Sequence, residues 1–347
     1  MINVLLVSYS VIAALIGAGF ASGQEILLYF SCFGKYGIIG VCVTVVSFGI
    51  FSYAVLNACY RYKYTNFDSF LGIFKSQIIR IFVKAITILF SFAVYGAMLS
   101  AAGEMIYEFF GCSKAIATLL CTICAVLLFM LADEKVFTLN GILGIALVIA
   151  ITFSVLYMLC YREYHAFSPI YTKSVNSGLI YSGYNLVSMT PVFVALSKKL
   201  NSKTDCISVS FCISIMSAII MALIFGLISI YANKIDLGEL PMLTLAKRQN
   251  TGFASLYATI LTVAIVTTLI SSGGALCNAL RIRKKLLPIS LVSSGAYLFS
   301  GFGFSTVINT AYRLCGIGGF IACLAIVFAC FSQPKTRKEI FFKKYVF

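Results

Sequence analysis

Apolar residues follow one another along the chain in long runs, separated by short polar stretches. A run of about 18 residues or more is long enough to cross the ~30 Å hydrocarbon core of a bilayer as a helix. The last two spans are made from one run, 287–331, which is too long for a single crossing and which we divide near Gly303 to Ser305. The pattern predicts an all-α integral membrane protein with ten transmembrane helices, at 3–32, 37–60, 81–107, 114–132, 139–160, 174–198, 206–232, 253–279, 288–304 and 308–331.

Composition narrows the class of protein. Apolar residues make up 61% of the 347 residues and charged residues only 11%, against about 25% charged in soluble domains. A soluble fold of this length could not cover so much apolar surface. Soluble enzymes, nucleic-acid-binding modules and disordered scaffolds are therefore excluded, and the lipid bilayer is the expected partner.

The net charge of +15 sets the expected orientation. Most Lys and Arg residues lie between alternate spans or in the tail 335–347, and the positive-inside rule places those segments in the cytoplasm. Both termini are then cytoplasmic. No Lys or Arg precedes Lys35, so the first run lacks the basic region of a secretory signal and is expected to be a retained helix.

Residues typical of catalytic or metal centres are scarce. His165 is the only histidine, and the 13 cysteines lie mostly in apolar runs, which favours packed thiols over disulfides. Cys121 and Cys124 form a C-x-x-C without basic neighbours, so packing is favoured there over redox or metal chemistry. No nucleotide-binding motif occurs. We therefore expect no enzymatic activity and no cofactor, with Na⁺ considered only as a coupling ion.

Two short helices are predicted between the spans. Phe67, Phe70, Leu71 and Phe74 follow helical spacing on the inner side, as in an interfacial helix. On the outer side, the segment beginning at Pro241 predicts a helix that covers the bundle like a lid.

Ten spans divide into two sets of five, at residues 1–160 and 161–334. An odd number of spans in each half turns the two halves in opposite directions, which is the geometry of an inverted repeat. The two halves are not visibly similar in sequence. The repeat is therefore predicted from topology and from the positions of interrupted helices.

The first span carries Gly17, Gly19 and Gly23 near the middle of the membrane. Each glycine weakens a helix by about 1 kcal/mol relative to alanine. Backbone that unwinds at this depth must line a cavity or be buried in protein. Its free carbonyls suit a cation, and the N–H groups that begin the next half-helix suit a carboxylate. The alternative is that Gly19 and Gly23 form a small-residue packing motif.

The sixth span offers a partner break. Pro191 removes a helical hydrogen bond, and Gly183 and Asn185 loosen the turn before it. Interrupted helices at corresponding positions of two halves are typical of transporter sites. A proline kink without a function is the alternative.

Hydroxyl and charged side chains inside the spans are candidates for ion coupling. Thr267, Thr268 and Ser271 in the eighth span could help to hold Na⁺, or could bond to their own helix backbone. Carboxylates at membrane depth are costly and usually functional, and Glu25 and Glu104 are of this kind. Arg313 is a candidate counter-ion for Glu25, with snorkelling to the interface as the alternative.

The string Gly17 to Glu25, GAGFASGQE, resembles the YkvI-type bacterial membrane proteins, as do Met98 to Gly103 and Tyr181 to Pro191. More distantly, the chain is similar to the amino acid–polyamine–organocation superfamily with its LeuT-type fold. That resemblance implies a 5+5 inverted repeat with helices 1 and 6 broken around a central substrate site. It also implies a cation site between the first and eighth helices, at Thr268 and Ser271. The substrate-site residues implied are Gly17, Ala18, Gly19, Phe20, Ala21, Ser22 and Gly23, faced by Tyr184 and Asn185.

The chain departs from the pattern of that fold at the pair of charged residues that would form a gate. Sodium-coupled symporters of this fold often carry an Arg after the first break, paired with an acid on the tenth helix. Here Glu25 follows the break and Arg313 lies on the tenth span. A gate of reversed polarity is one hypothesis.

These observations predict a secondary active transporter in a bacterial cytoplasmic membrane. Its solute would be small and polar, with an amino acid or a related amine as the first choice, coupled to Na⁺ or H⁺ by alternating access. One alternative is a ligand sensor or a subunit of a membrane complex on the same fold. A channel is less favoured, because polar groups cluster at the breaks instead of forming a continuous polar face. The oligomeric state is not indicated.

Overall fold

The computed structural model describes residues 2–15, 17–64, 66–131, 134–160, 174–232, 235–280 and 286–332, and within these ranges the regular elements are all helical. The first span is divided into α1 (Ile2–Leu15), α2 (Ala18–Ala21) and α3 (Gln24–Tyr29), followed by a 3₁₀ segment, Ser31–Tyr36. The next helices are α4 (Gly37–Tyr62), α5 (Phe67–Leu71), α6 (Gln77–Phe110), α7 (Lys114–Leu131), α8 (Glu134–Cys160) and α9 (Ser174–Leu196). A 3₁₀ turn, Ser197–Lys199, leads to α10 (Lys203–Tyr231), α11 (Pro241–Gln249), α12 (Thr251–Ala279) and α13 (Leu286–Ser300). The last span consists of α14 (Phe304–Val307), a π segment (Ile308–Tyr312) and α15 (Arg313–Ser332).

The described helices fit a multi-pass membrane protein. Seven of them are long and apolar enough to cross a bilayer, counted over the described residues. Shorter apolar helices occupy three further predicted spans, at Asn3–Leu15, Lys114–Leu128 and Leu286–Ser300. The number of ten crossings, the inverted repeat and the orientation of the termini stay predictions. His165 and the tail 335–347 lie outside the described residues.

The predicted break in the first span is present. Helix α1 ends at Leu15, Gly17 is extended with φ −81° and ψ −177°, and Gly23 is left-handed with φ +80°. A Cβ at Gly23 would lie 2.7 Å from side-chain atoms of Ile228 and Met242. Both the backbone angle and the close neighbours therefore require glycine at this position.

The predicted break in the sixth span is wrong, because α9 runs without interruption from Ser174 to Leu196 with Pro191 inside it. In the turn before Pro191, Ser188 donates to the Asn185 carbonyl at 2.8 Å, and Thr190 donates to the Leu186 carbonyl at 3.0 Å. Proline inside a helix is tolerated in membrane proteins, where neighbouring helices and Ser/Thr side chains satisfy backbone groups that it leaves free.

The glycines of α9 serve close packing instead of a break. A Cβ at Gly183 would lie 2.6 Å from the Phe320 backbone nitrogen and would collide with the Gly316 carbonyl oxygen. A Cβ at Gly178 would meet the backbone of Gly40 in the same way. Small residues allow helix backbones to approach closely in membranes. Helix α9 is therefore held between α15 and α4 at the centre of the bundle.

Both predicted connecting helices are present. Helix α5 stands where the interfacial helix was predicted, and its N-terminus has a capping box in which Asn66 and Ser69 exchange hydrogen bonds. Phe70 and Leu71 of α5 are buried, as is Phe74 after its end, so this segment is anchored to the bundle. Its position at a membrane interface stays a prediction. Helix α11 is the lid-like helix and begins at Pro241.

Candidate functional site

The break in the first span is closed by protein hydrogen bonds. Tyr257 donates to the Ala21 carbonyl at 2.6 Å, and the Met242 backbone N–H donates to the Ser22 carbonyl at 2.9 Å. The carbonyls that accept hydrogen bonds from within the protein are those of Gly17, Ala18, Gly19, Phe20, Ala21 and Ser22. The carbonyl groups expected to hold a cation are thus already engaged in this conformation.

Thr268 lies at the break, as the resemblance implied. Its Oγ1 accepts a hydrogen bond from the Ala18 N–H at 3.1 Å and donates one to the Ala264 carbonyl at 2.8 Å. A Cβ at Gly17 would stand 3.2 Å from that same oxygen. The structure therefore brings the first and eighth spans together through a hydroxyl that satisfies an N–H group of the break.

The other hydroxyls of the eighth span face in different directions. Thr267 donates to the Ala264 carbonyl at 2.9 Å, so its hydroxyl bonds to its own helix. Ser271 is exposed, whereas Thr267 is buried. Their assignment as cation ligands stays a prediction.

Glu25 is folded back over the break. It lies in the first turn of α3 and is 8% exposed. A Cβ at Gly19 would collide with the Glu25 carboxylate, which therefore lies directly on the break. The Tyr184 hydroxyl donates to Glu25 Oε2 at 3.2 Å. Tyr184 on α9 was predicted to face the break, and Glu25 on α3 was the predicted carboxylate. The structure brings these two residues together.

An aromatic cluster encloses this carboxylate. Tyr184 lies at its centre, with ring centroids 5.7 Å from Tyr29, 5.3 Å from Tyr181, 5.2 Å from Tyr312 and 4.9 Å from Phe90. The rings of these residues are buried. Tyr29 also donates to the carbonyl of Ile308 in the π segment at 3.1 Å. We call Tyr29, Phe90, Tyr181, Tyr184 and Tyr312 the aromatic cluster.

Two buried polar atoms near the break make no hydrogen bond of ordinary geometry with the described residues: the Tyr181 hydroxyl and Gln24 Oε1. The Tyr181 hydroxyl lies beside the Glu25 carboxylate. The amide nitrogen of Gln24 donates to Ser305 Oγ at 2.7 Å. Buried polar atoms without partners are rare and often mark places where a ligand or water binds.

Asn185 contributes less to the site than expected. Its side-chain nitrogen donates to the Tyr181 carbonyl in the preceding turn at 3.0 Å. It therefore supports the α9 backbone behind the aromatic cluster.

Glu104 and Arg313 lie apart from the break. Glu104 pairs with Lys114 at the ends of α6 and α7, and the Lys114 side chain is 50% exposed. Arg313 is exposed whereas Glu25 is buried, and these two described side chains form no ion pair with each other. Ion coupling by Glu104 and a gate formed by Glu25 and Arg313 stay predictions.

Further contacts cover the break on the predicted outer side. Glu239 Oε2 accepts from the backbone N–H of Phe304 at 2.8 Å and of Ser305 at 3.3 Å, at the start of α14. Gln24 reaches the same Ser305 from α3. Together with α11, these bonds close the bundle over the half-helix that carries Glu25.

Sequence reasoning missed several of these residues. Tyr181 stands three positions before the predicted Tyr184 and shares its face of α9, which is a helical signal that could have been found. Tyr29, Tyr257 and Tyr312 lie on other helices, and no local pattern relates them. Glu239 lies in a loop, and only the fold brings it to the α14 N-terminus.

Comparison with known proteins agrees with this architecture. No family model matches the chain. It is 24% identical over 346 residues to the uncharacterized membrane protein YkvI of Bacillus subtilis, covering 94% of this chain and 95% of that one. Among solved structures it is similar to variants of the manganese transporter of Eremococcus coleocola, with 12% identity and TM-scores of 0.53 and 0.54. It is also similar to that transporter in complex with an aromatic bis-isothiourea compound, at 13% identity and a TM-score of 0.53. Each of these alignments covers 98% of this chain and 91% of the transporter. The chain is therefore a multi-pass membrane protein with the fold of a membrane transporter.

Proposed function

We propose that the protein is a secondary active transporter of a small polar solute, an amine or amino acid, with H⁺ as the coupling ion. The observation that carries this proposal is Glu25, a buried carboxylate placed on a helix break. Ionisable groups at membrane depth are costly unless they are used, and they commonly mark proton or substrate sites. Alternating access would move the first, second, sixth and seventh spans against the others, within a 5+5 repeat.

Protons are favoured over Na⁺ because of the hydrogen bonds at the break. The Thr268 oxygen and the carbonyls from Gly17 to Ser22 already have protein partners. Glu25 accepts a hydrogen bond from the Tyr184 hydroxyl and forms no ion pair with a described Lys or Arg. A proton could therefore bind at Glu25 without rearrangement of the break.

The manganese of the structural neighbours is not carried over to this chain. Mn²⁺ is favoured by several oxygen ligands, carboxylates above all. Glu25 is a single carboxylate, and the described residues contain no group of three or more His, Cys, Asp or Glu side chains. The similarity in fold supports transport and not that cargo.

The test is uptake of radiolabelled amino acids and amines by proteoliposomes under an imposed pH gradient or an imposed Na⁺ gradient. We expect a solute whose accumulation follows the pH gradient and is indifferent to Na⁺. Glu25→Gln should abolish the response to pH. Asp68→Asn is the control, because Asp68 on α5 pairs with Lys84 on α6 at 2.9 Å and this pair involves neither α11 nor the break.

Other outcomes would contradict parts of the proposal. Accumulation driven by Na⁺ would transfer the coupling site to Thr268 and Ser271. Binding of a solute without any counterflow would favour the sensor or complex-subunit alternative. Absence of binding and of transport for every solute would overturn the amino acid or amine assignment.

A further inference from the structure

We infer that Glu25 is a shared site, which holds either a proton or the ammonium group of an amine that lacks a carboxylate, so that the protein exchanges the two. This inference rests on the proposed function and names its substrate class and its coupling mode.

Glu25 is the exception among the carboxylates whose side chains the structure describes. Asp68, Glu104 and Glu108 form ion pairs with lysines. Asp205, Asp236 and Glu239 accept hydrogen bonds from backbone N–H groups. Glu25 has neither kind of partner through its side chain and is also buried. A buried carboxylate requires a proton or a cation to compensate its charge.

The position of Glu25 disfavours amino acids. In the implied fold, the N–H groups that begin the second half-helix are available to a substrate carboxylate. Here Glu25 itself stands in the first turn of α3, and its carboxylate lies over Gly19. A substrate carboxylate at the break would therefore lie beside a like charge in a region of low dielectric. A substrate with an ammonium group alone avoids this repulsion.

The surroundings of Glu25 suit an organic cation. A buried carboxylate with phenol oxygens beside it offers an ammonium group both a countercharge and hydrogen-bond acceptors. Tyr184 contacts Glu25 through its hydroxyl and is in contact with every other ring of the aromatic cluster. The buried Tyr181 hydroxyl, which lacks a hydrogen-bond partner, lies beside the carboxylate. Its oxygen can accept an N–H of an ammonium group whose other N–H bonds to Glu25.

Among the described residues, Glu25 is the one carboxylic acid at this site. The titratable groups around it are Tyr29 on its own helix, Tyr181 and Tyr184 on α9, and Tyr312 on the π segment. Arg313 follows Tyr312 but is exposed. The helices α10, α11 and α12 present to the break the side chains of Ile228, Met242, Tyr257 and Thr268.

A single carboxylate cannot serve both cations at once. When an amine binds, the Glu25 carboxyl releases its proton and the ammonium group takes its place. When the amine leaves on the other side of the membrane, the carboxylate takes up a proton there. One bound positive charge is thus replaced by another in each half of the cycle, so amine and protons move in opposite directions.

The test uses pairs of molecules that differ by one carboxylate: agmatine and arginine, cadaverine and lysine, ethanolamine and serine, tyramine and tyrosine. Thermal melting of the purified full chain measures binding, because a ligand that binds only the folded state raises the melting temperature. We expect stabilisation by one or more amines and by none of the matching amino acids. The apparent Kd should rise about tenfold for each unit of pH decrease in the range where Glu25 is protonated.

Proton movement gives the second readout. Proteoliposomes containing a trapped pH dye should become more alkaline inside when the stabilising amine is added outside. Because neutral amine that leaks through lipid has the same effect, liposomes without protein and liposomes with Glu25→Gln provide the background. The Asp68→Asn variant should behave like the unaltered protein.

The outcomes separate this inference from the proposed function. If the amino acids bind and the amines do not, transport of amino acids stands and the shared site is overturned. If an amine binds with a pH-independent Kd, or if the lumen becomes more acidic, competition at Glu25 is overturned. If neither class binds or is transported, the proposed function fails as well. Because Gln has nearly the volume of Glu, an unchanged melting temperature of ligand-free Glu25→Gln confirms that the variant is folded.

Discussion

Tyr184 donates its hydroxyl hydrogen to Glu25 Oε2 at 3.2 Å, and this bond joins an unbroken helix to the half-helix that follows the break. The two residues are 159 positions apart in the chain. The bond therefore links the two predicted halves of the protein at the candidate site. Any movement of α9 relative to α3 must break it or carry Glu25 along.

Tyr184→Phe removes this hydroxyl and keeps the ring in the aromatic cluster. A hydrogen bond to a charged group contributes about 1.5–3 kcal/mol, so solute binding should weaken by roughly tenfold or more. Thermal titration with the solute found in the uptake assay measures the effect. Tyr297→Phe is the control, because the Tyr297 hydroxyl bonds to the Ala115 carbonyl away from the break. Equal affinities for the two variants would show that Tyr184 does not orient Glu25.

Gly19→Ala places a methyl group where the Glu25 carboxylate lies. We expect the variant to fold and to lose most of its transport, because the carboxylate must leave the break. Gly226→Ala is a matched control in α10, where a Cβ would meet nothing within 4 Å. Initial rates of uptake in proteoliposomes compare the two. Normal transport by Gly19→Ala would mean that Glu25 is not needed where the structure places it.

The break in the first span could be predicted from sequence, whereas the continuity of the sixth span could not, and the difference is physical. Gly23 has a positive φ, so the residue type reports directly on the backbone. Gly183 has helical geometry and is small because the backbone of α15 approaches it. A positive φ and the close approach of another helix both select glycine. Only the tertiary structure shows which of the two applies at a given position. A glycine pattern inside an apolar helix therefore indicates either unwinding or close packing.

The residues of the candidate site differ in how clearly the sequence marks them. Glu25 is conspicuous because a carboxylate is rare in an apolar run. The aromatic cluster is not conspicuous in the sequence, because the chain contains 20 tyrosines and no local pattern distinguishes most of them. Thr268 was expected at the break, but the donor that it satisfies, the Ala18 N–H, lies 250 residues away in sequence. Long-range pairing of this kind follows from the fold and not from local pattern.

Gly183→Ala tests the packing explanation for α9. A methyl group there would overlap the backbone of α15, and overpacking of this kind costs about 1–3 kcal/mol. The melting temperature should therefore fall. Gly295→Ala provides the comparison, because its Cβ would have only ordinary contacts with the Phe92 ring, the nearest at 3.7 Å. If the two variants melted alike, α9 and α15 would not be as close as the structure shows.

Glu239→Gln tests closure of the bundle over the break. The Glu239 carboxylate accepts from the N–H groups of Phe304 and Ser305, and a negative charge at a helix N-terminus contributes about 0.3–1 kcal/mol. Loss of that charge should loosen the start of α14 and speed hydrogen exchange of the amides at these two positions several-fold. Asp236→Asn is the control, because Asp236 accepts from the Gly238 N–H within the same loop. Mass spectrometry of deuterated peptides covering residues 300–310 measures the exchange. Unchanged protection in Glu239→Gln would show that the carboxylate does not hold α14, and closure would then depend on Gln24 and α11.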